Sequence, residues 1–192
     1  MSLIIAFIGK QGAVVAGDMR EIITCGDMAC TETLERELYN GLIVTDEDLH
    51  KRAEELDISL TIRDDKRKVT QRDGIIVGEV CETEGGLTRK KRLYATAGEY
   101  ALAGITGTDL KICGKGKASN FVVLGNQVTK QIAHACIQEH WKCGGMHDAI
   151  RIIILAMDRA SKATASVSGT YTLIQTQVHE RLEAVIGKDR TR

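Results

Sequence analysis

The chain has 192 residues, 43% of them hydrophobic, with 26 basic residues against 26 acidic ones. That length fits one domain of ordinary size, and the apolar fraction supports a core and excludes a disordered chain. Balanced charge, no apolar run near the ~18–20 residues of a membrane span, and no basic leader with a cleavage site point to a cytoplasmic protein with no nucleic-acid partner and no membrane insertion. The six cysteines (Cys25, Cys30, Cys81, Cys113, Cys136, Cys143) show no paired framework and read as reduced thiols.

The first twenty residues form a strand–turn–strand pattern. The apolar run Leu3 to Gly9 meets the polar pair Lys10-Gln11 between Gly9 and Gly12, and Ala13 to Ala16 leads into Gly17-Asp18-Met19-Arg20. Short apolar runs around a glycine-bounded turn predict a β-hairpin. Neither run alternates with polar residues, so both strands are expected to be covered on both faces. With the turn centred on Lys10-Gln11, facing residue numbers sum to about 21, and Asp18 falls opposite Leu3, one step from Ser2. Ser2 is a small residue of the kind that permits removal of Met1. A free α-amine there has an ordinary pKa of ~7.7–8.0, so part of it is neutral near pH 7. A neutral amine beside its own hydroxyl is a nucleophile with a built-in base. Arg20 follows Asp18 on the same side, to pair with it or frame the site.

Further along, Ile22-Ile23 reads as a short strand and Thr31 to Asn40 as a helix ended by Gly41. Thr45-Asp46-Glu47-Asp48 resembles a capping box that starts a second helix, with Leu49, Ala53 and Leu56 on one face. This charged pair is expected outside the core sheets. Ile58 to Asp64 alternates as a strand, Asp64-Asp65-Lys66 turns it, and Arg67 to Arg72 returns along it. Asp73-Gly74 signals a hairpin into Ile75–Cys81, and Gly85-Gly86 another turn. Leu93–Ala97, Tyr100–Ile105, Leu110–Cys113 and Phe121–Leu124 continue an antiparallel system. Two helices follow: Asn126–Trp141, with Val128, Ile132, Ala135 and Cys136 on one face, and His147–Lys162, with Ile150, Ile153, Ile154 and Met157. Thr170–Thr176 and Leu182–Ile186 read as closing strands. Strands, two helices, then strands suit an α+β fold, a four-layer αββα sandwich of antiparallel sheets.

Three other patterns are read as structural. Lys66-Arg67-Lys68 and Arg89-Lys90-Lys91-Arg92 lack interleaved aromatics and suit a solvated strand edge. Gly114-Lys115-Gly116-Lys117 fails the phosphate-loop pattern, with Asp109 and Ala118 at required positions. Cys136, His140, Cys143 and His147 lack the short paired spacing of a zinc site. No cofactor and no metal are expected.

The frame Ser2 … Gly12-Ala13-Val14-Val15-Ala16-Gly17-Asp18-Met19-Arg20 resembles the start of proteasome β subunits. The longer run from Met1 to Arg20 resembles the archaeal Connectase family of methanogens, proteasome-related protein ligases with an N-terminal Thr or Ser. The resemblance implies an N-terminal nucleophile (Ntn) hydrolase fold over residues 1–192, with a helical insertion over about 31–57 and without the family's small C-terminal domain. It implies a transpeptidase: Ser2 attacks a peptide carbonyl, an acyl-enzyme forms, and the amine of a second peptide resolves it. The implied partner is a Lys-Asp-Pro-Gly-Ala type motif in a subunit of the methanogen methyltransferase complex. Asp18 and Arg20 would frame the site, and Asn126 and Ser168 would assist. The lysine that proteasomes carry past the Asp is missing, since that region reads Thr33-Leu34-Glu35. The Asp of the proteasome's Asp-x-x-Ser element falls near Ala165. Two rivals fit the same residues: an inactive proteasome-like binding or assembly protein, and an Ntn-fold amidohydrolase acting on a small molecule. Oligomeric state is not legible.

Overall fold

The computed structural model describes residues 3–84 and 87–190, so Met1, Ser2 and the predicted Gly85-Gly86 turn lie outside the described residues. Eleven strands and five helices are present among them. β1 (Ile4–Gly9) and β2 (Gly12–Asp18) form the predicted hairpin, with Ile4 facing Gly17 and Gly9 facing Gly12. Every residue of both strands is buried. The hairpin is the middle of a four-stranded antiparallel sheet, flanked by β10 (Asn120–Leu124) on β1 and β11 (Tyr171–Thr176) on β2.

Strand alternation sends the hairpin's side chains two ways. Leu3, Ile5, Phe7, Val14 and Ala16 pack with buried residues of α3 (Gln127–His140) and α4 (Gly145–Ala163). Ile4, Ala6, Ile8, Ala13 and Val15 pack with Ile76, Val80, Leu93 and Ala95 of a five-stranded sheet. That sheet runs in the order β5 (Val69–Arg72), β6 (Ile75–Glu84), β7 (Leu87–Thr96), β8 (Glu99–Thr106) and β9 (Asp109–Lys117). Its outer face carries α5 (Leu182–Arg190), through Leu182, Val185 and Ile186 against Ile75, Val77 and Tyr94. The continuous apolar character of β1 and β2 follows from this double burial.

The segment read as an insertion holds more than two helices. β3 (Glu21–Cys25) pairs with β4 (Ser59–Arg63), and between them lie α1 (Met28–Tyr39) and α2 (Asp46–Glu55). Asp27 caps α1, which starts earlier than predicted. Thr45 caps α2 as predicted, its hydroxyl accepting from Asp48 N–H at 3.1 Å and donating to the Asp48 carboxylate at 2.7 Å. The helices enclose their own core of Leu34, Leu38, Leu49, Ala53 and Ile58.

Several expectations are corrected. The segment after β4 does not return along it: β5 pairs with β6, because Val69 is buried between the sheets and the Asp73-Gly74 turn directs the chain there. Both turn residues have positive φ, 50° and 78°, as a two-residue hairpin demands. Leu182–Ile186 is helix rather than strand. Its apolar residues recur at i, i+3 and i+4, and a run that short does not distinguish the two periods. Ala135 and Ile154 face outward, while Ala133, Ile152 and Ala156 take the buried positions. Gly114 to Lys117 is part of the edge strand β9, in keeping with the rejection of a phosphate loop there. Cys136 is buried in the core, its Sγ on Ile152 O at 3.8 Å. No helix among the described residues is long and apolar enough to cross a membrane.

Gly17 permits the closest approach of β5 to the hairpin. A Cβ there would stand 2.6 Å from Val69 Cγ2 and 3.3 Å from Ile4 Cγ1. Gly17→Ala should therefore destabilise the fold by about 1–3 kcal/mol through overpacking. A lowered urea midpoint at unchanged slope is the expected reading.

Candidate functional site

The hairpin register ends where β2 meets the beginning of the described chain. Asp18 N–H donates to Leu3 O at 3.0 Å, and Leu3 N–H donates back to Asp18 Oδ1 at 2.7 Å. Asp18 is fully buried. Its other oxygen, Oδ2, accepts from Arg20 N–H at 2.9 Å and from Lys68 Nζ at 2.6 Å. A buried carboxylate that accepts from three donors is held in one orientation.

Lys68 was not foreseen as a site residue. It belongs to the Lys66-Arg67-Lys68 cluster read as a solvated strand edge, but Lys66 and Arg67 are exposed on the loop before β5 and Lys68 is buried. The Arg89–Arg92 cluster lies on β7, the middle strand of its sheet and not an edge. The Lys68 ammonium also donates to Arg20 O at 2.5 Å. The main chain fixes the approach, since Lys66 N–H donates to Met19 O at 3.0 Å and Glu79 N–H to Lys68 O at 2.9 Å. Burial pulls the Lys68 amine below its ordinary pKa, and Asp18 offsets part of that shift. A lysine fifty residues beyond Asp18 in the chain thus places its ammonium on that carboxylate.

Arg20 meets Asp18 through its main-chain N–H, not through its side chain. The guanidinium turns to the insertion instead, bonding Asp64 at 2.9 Å, Asp46 at 2.5 Å and Ala165 O at 2.8 Å. The Asp64 and Asp46 carboxylates raise its pKa further. Arg20 therefore ties α2, the end of β4 and the loop before β11 to the strand that carries Asp18.

Ser168 lies at the same end. Its Oγ accepts from Met19 N–H at 3.1 Å and donates to Thr170 O at 2.5 Å, which steadies the main chain between Asp18 and Arg20. Asn126 is engaged elsewhere: its Oδ1 caps α3 on Thr129 N–H at 2.8 Å, and its Nδ2 donates to Ser166 Oγ at 3.2 Å. The structure thus joins Leu3, Asp18 and Lys68 in one network, sets Ser168 on the adjoining Met19 N–H, and gives Asn126 a helix-capping role. Ser2 is outside the described residues. Among the described residues, no group of His, Cys, Asp and Glu is arranged to hold a metal ion.

Comparison with known proteins gives one family. The model described as Connectase MJ0548-like, N-terminal domain, matches residues 1–191. No curated protein matches the chain. Among solved structures, the chain is similar to a Gly-1 mutant of Anbu from Hyphomicrobium sp. strain MC1, at 13% identity over 91% of this chain and 81% of that one, TM-score 0.43. It is similar to Anbu, an ancestral β-subunit, from Yersinia bercovieri, at 11% identity over 98% and 92%, TM-score 0.43. HslV from Trypanosoma brucei is similar at 16% identity over 90% and 98%, TM-score 0.38.

Two outcomes follow from the pair at Asp18. Lys68→Met should cost about 3–5 kcal/mol of stability, because it strips the cation from a buried carboxylate. The pH response is a second test. The folded-state pKa of Lys68 lies below its ordinary 10.5, so between the two values the unfolded chain binds more protons. The cost of this group is present below the folded pKa and is relieved as pH rises toward 10.5. Urea unfolding should show wild type gaining stability relative to Lys68→Met across that window; a flat difference would contradict it.

Proposed function

The chain belongs to the Connectase MJ0548-like N-terminal domain family, and on that premise we propose that it is an N-terminal-nucleophile acyl-transfer enzyme, a protein ligase that uses Ser2 after removal of Met1. The observation that carries this reading is the 2.7 Å bond from Leu3 N–H to the buried Asp18 carboxylate. Ser2 is the residue that precedes that nitrogen in the chain. We read the succession of α3 and α4, two sheets and α5 as the four-layer αββα sandwich of N-terminal nucleophile hydrolases.

In this mechanism the Ser2 hydroxyl attacks the scissile carbonyl carbon and its proton passes to the Ser2 α-amine, directly or through water. The tetrahedral intermediate collapses, the leaving peptide amine takes up that proton, and an ester remains on Ser2. The α-amine of a second peptide attacks the ester, a new peptide bond forms, and the hydroxyl regains its proton. Lys68 uses two of its three N–H donors on Asp18 and Arg20 O among the described residues, so the third is available to a reacting oxygen. Its lowered pKa suits proton exchange. Asp18 holds the ammonium in place, and Ser168 holds the strand that carries Asp18. The donor substrate is the Lys-Asp-Pro-Gly-Ala type motif of a methyltransferase-complex subunit in a methanogen cytoplasm.

Intact-mass measurement tests this. Protein lacking Met1, incubated with the motif peptide, should gain one acyl adduct mapped to Ser2, and a second peptide with a free amine should convert it to ligated product. Ser2→Ala should form no adduct, and Lys68→Met should slow its formation by about 10²-fold or more. Processed wild-type protein that forms no adduct would remove the enzymatic reading.

A further inference from the structure

A cavity of about 500 Å³ lies where the β1–β2 turn meets the start of α4 and the end of β11. That volume is ordinary for a small-molecule site. The length of β1, Ile4–Gly9, separates it from the Leu3–Asp18 contact, roughly 20 Å at the usual rise of a strand. Its chemistry is therefore independent of the reading of Ser2. The floor is apolar, made by Phe7, Met146 and Ile150. Met146 and Ile150 stand four residues apart on α4 and share a face. The Phe7 ring is fixed from behind, its centroid 4.9 Å from that of Phe121 and 5.0 Å from that of Trp141. Gly12 lets the walls close, since a Cβ there would stand 2.8 Å from Thr176 O and 3.1 Å from Met146 Cε. The floor is thus already shaped without a ligand.

The rim is polar and idle. Lys10, Gln11, Ser119, His147, Gln175 and Gln177 are exposed around the floor, and none of their side chains makes a hydrogen bond or ion pair among the described residues. Single polar side chains without an internal partner are common on a surface. Here all six border one apolar hollow, the combination of apolar wall and a few polar groups that small-molecule sites share. Lys10 is the only Lys, Arg, Asp or Glu among the described lining residues. The mouth therefore offers one positive charge with no carboxylate beside it.

We propose that this cavity binds a small organic monoanion, a carboxylate head on an apolar body, with the head at Lys10 and the body over Phe7, Met146 and Ile150. A cationic ligand would meet Lys10 at the mouth and be repelled. A multiply charged anion would bring more charge than one ammonium can answer, and it has no apolar body to cover the floor. The division of labour follows from exposure. The Lys10 ammonium is solvated, so its attraction for the head is modest and sets the sign of the ligand. The apolar area removed from water supplies most of the affinity, which should grow with the length of the body. The glutamines and Ser119 can donate to whatever head oxygens Lys10 leaves open.

Titration calorimetry on the full chain tests this with butyrate, hexanoate, octanoate and the uncharged 1-octanol. Affinity should rise about tenfold or more with each two-carbon step along the carboxylate series. Lys10→Gln should weaken octanoate by about fivefold and leave 1-octanol unchanged. Gln175→Phe places an aromatic ring in the cavity from an exposed position of β11, and it should abolish binding of both. Gln177→Phe fills the same space from beyond the strand and serves if the first variant does not fold. The proposal is overturned if octanoate does not bind wild type or binds no better than butyrate. It is overturned equally if Lys10→Gln affects octanoate and 1-octanol alike, or if octanoate binds a folded filling variant as it binds wild type.

Discussion

The Asp18 carboxylate is the constraint from which the rest of this end of the molecule follows. It is fully buried, and its oxygens receive the Leu3 N–H just before β1, the Arg20 N–H and the Lys68 ammonium. An ionised carboxylate removed from water is strongly unfavourable without such donors, so their positions are not free to drift. Each belongs to a different stretch of chain. One acid thus joins the chain's beginning, the exit of β2 and the entry to β5.

Support for that acid comes from farther out. Arg20 presents its amide to Asp18 and its side chain to Asp46, Asp64 and Ala165 O, so the insertion is locked to the strand that bears the site. Ser168 holds Met19 from the opposite side. Gly17 lets β5 close in, and any side chain there would push away the segment that delivers Lys68. On the proposed function, such arrangements keep the reaction centre within the narrow geometry that acyl transfer needs.

The insertion then has two effects with one cause. It separates Asp18 from Lys68 along the chain, and it returns the chain through β4 so that the segment 64–68 runs beside Met19 and Arg20. In doing so it raises a wall opposite the five-stranded sheet, with a cavity between them. Position beside Lys68, rather than size, distinguishes it: the larger hollow of about 500 Å³, lined by Lys10, Gln11 and Met146, lies at the turn end of the hairpin, the far end from Asp18.

The sequence by itself determined the hairpin, its register and the meeting of Asp18 with Leu3, because a two-residue turn and continuous apolar runs leave one pairing that buries both faces. It also determined the capped helix at Thr45 and the turn at Asp73-Gly74, each set by side chains or φ values within a few residues. Tertiary packing settled which of three adjacent basic residues goes inside, where the Arg20 guanidinium points, and that the last apolar run coils. The Arg20 and Lys68 outcomes depend on partners 26 to 145 residues away, as with Lys68 and Asp18 at a separation of 50. Local periodicity carries no information about which distant group will share a buried pocket, and packing alone settles that.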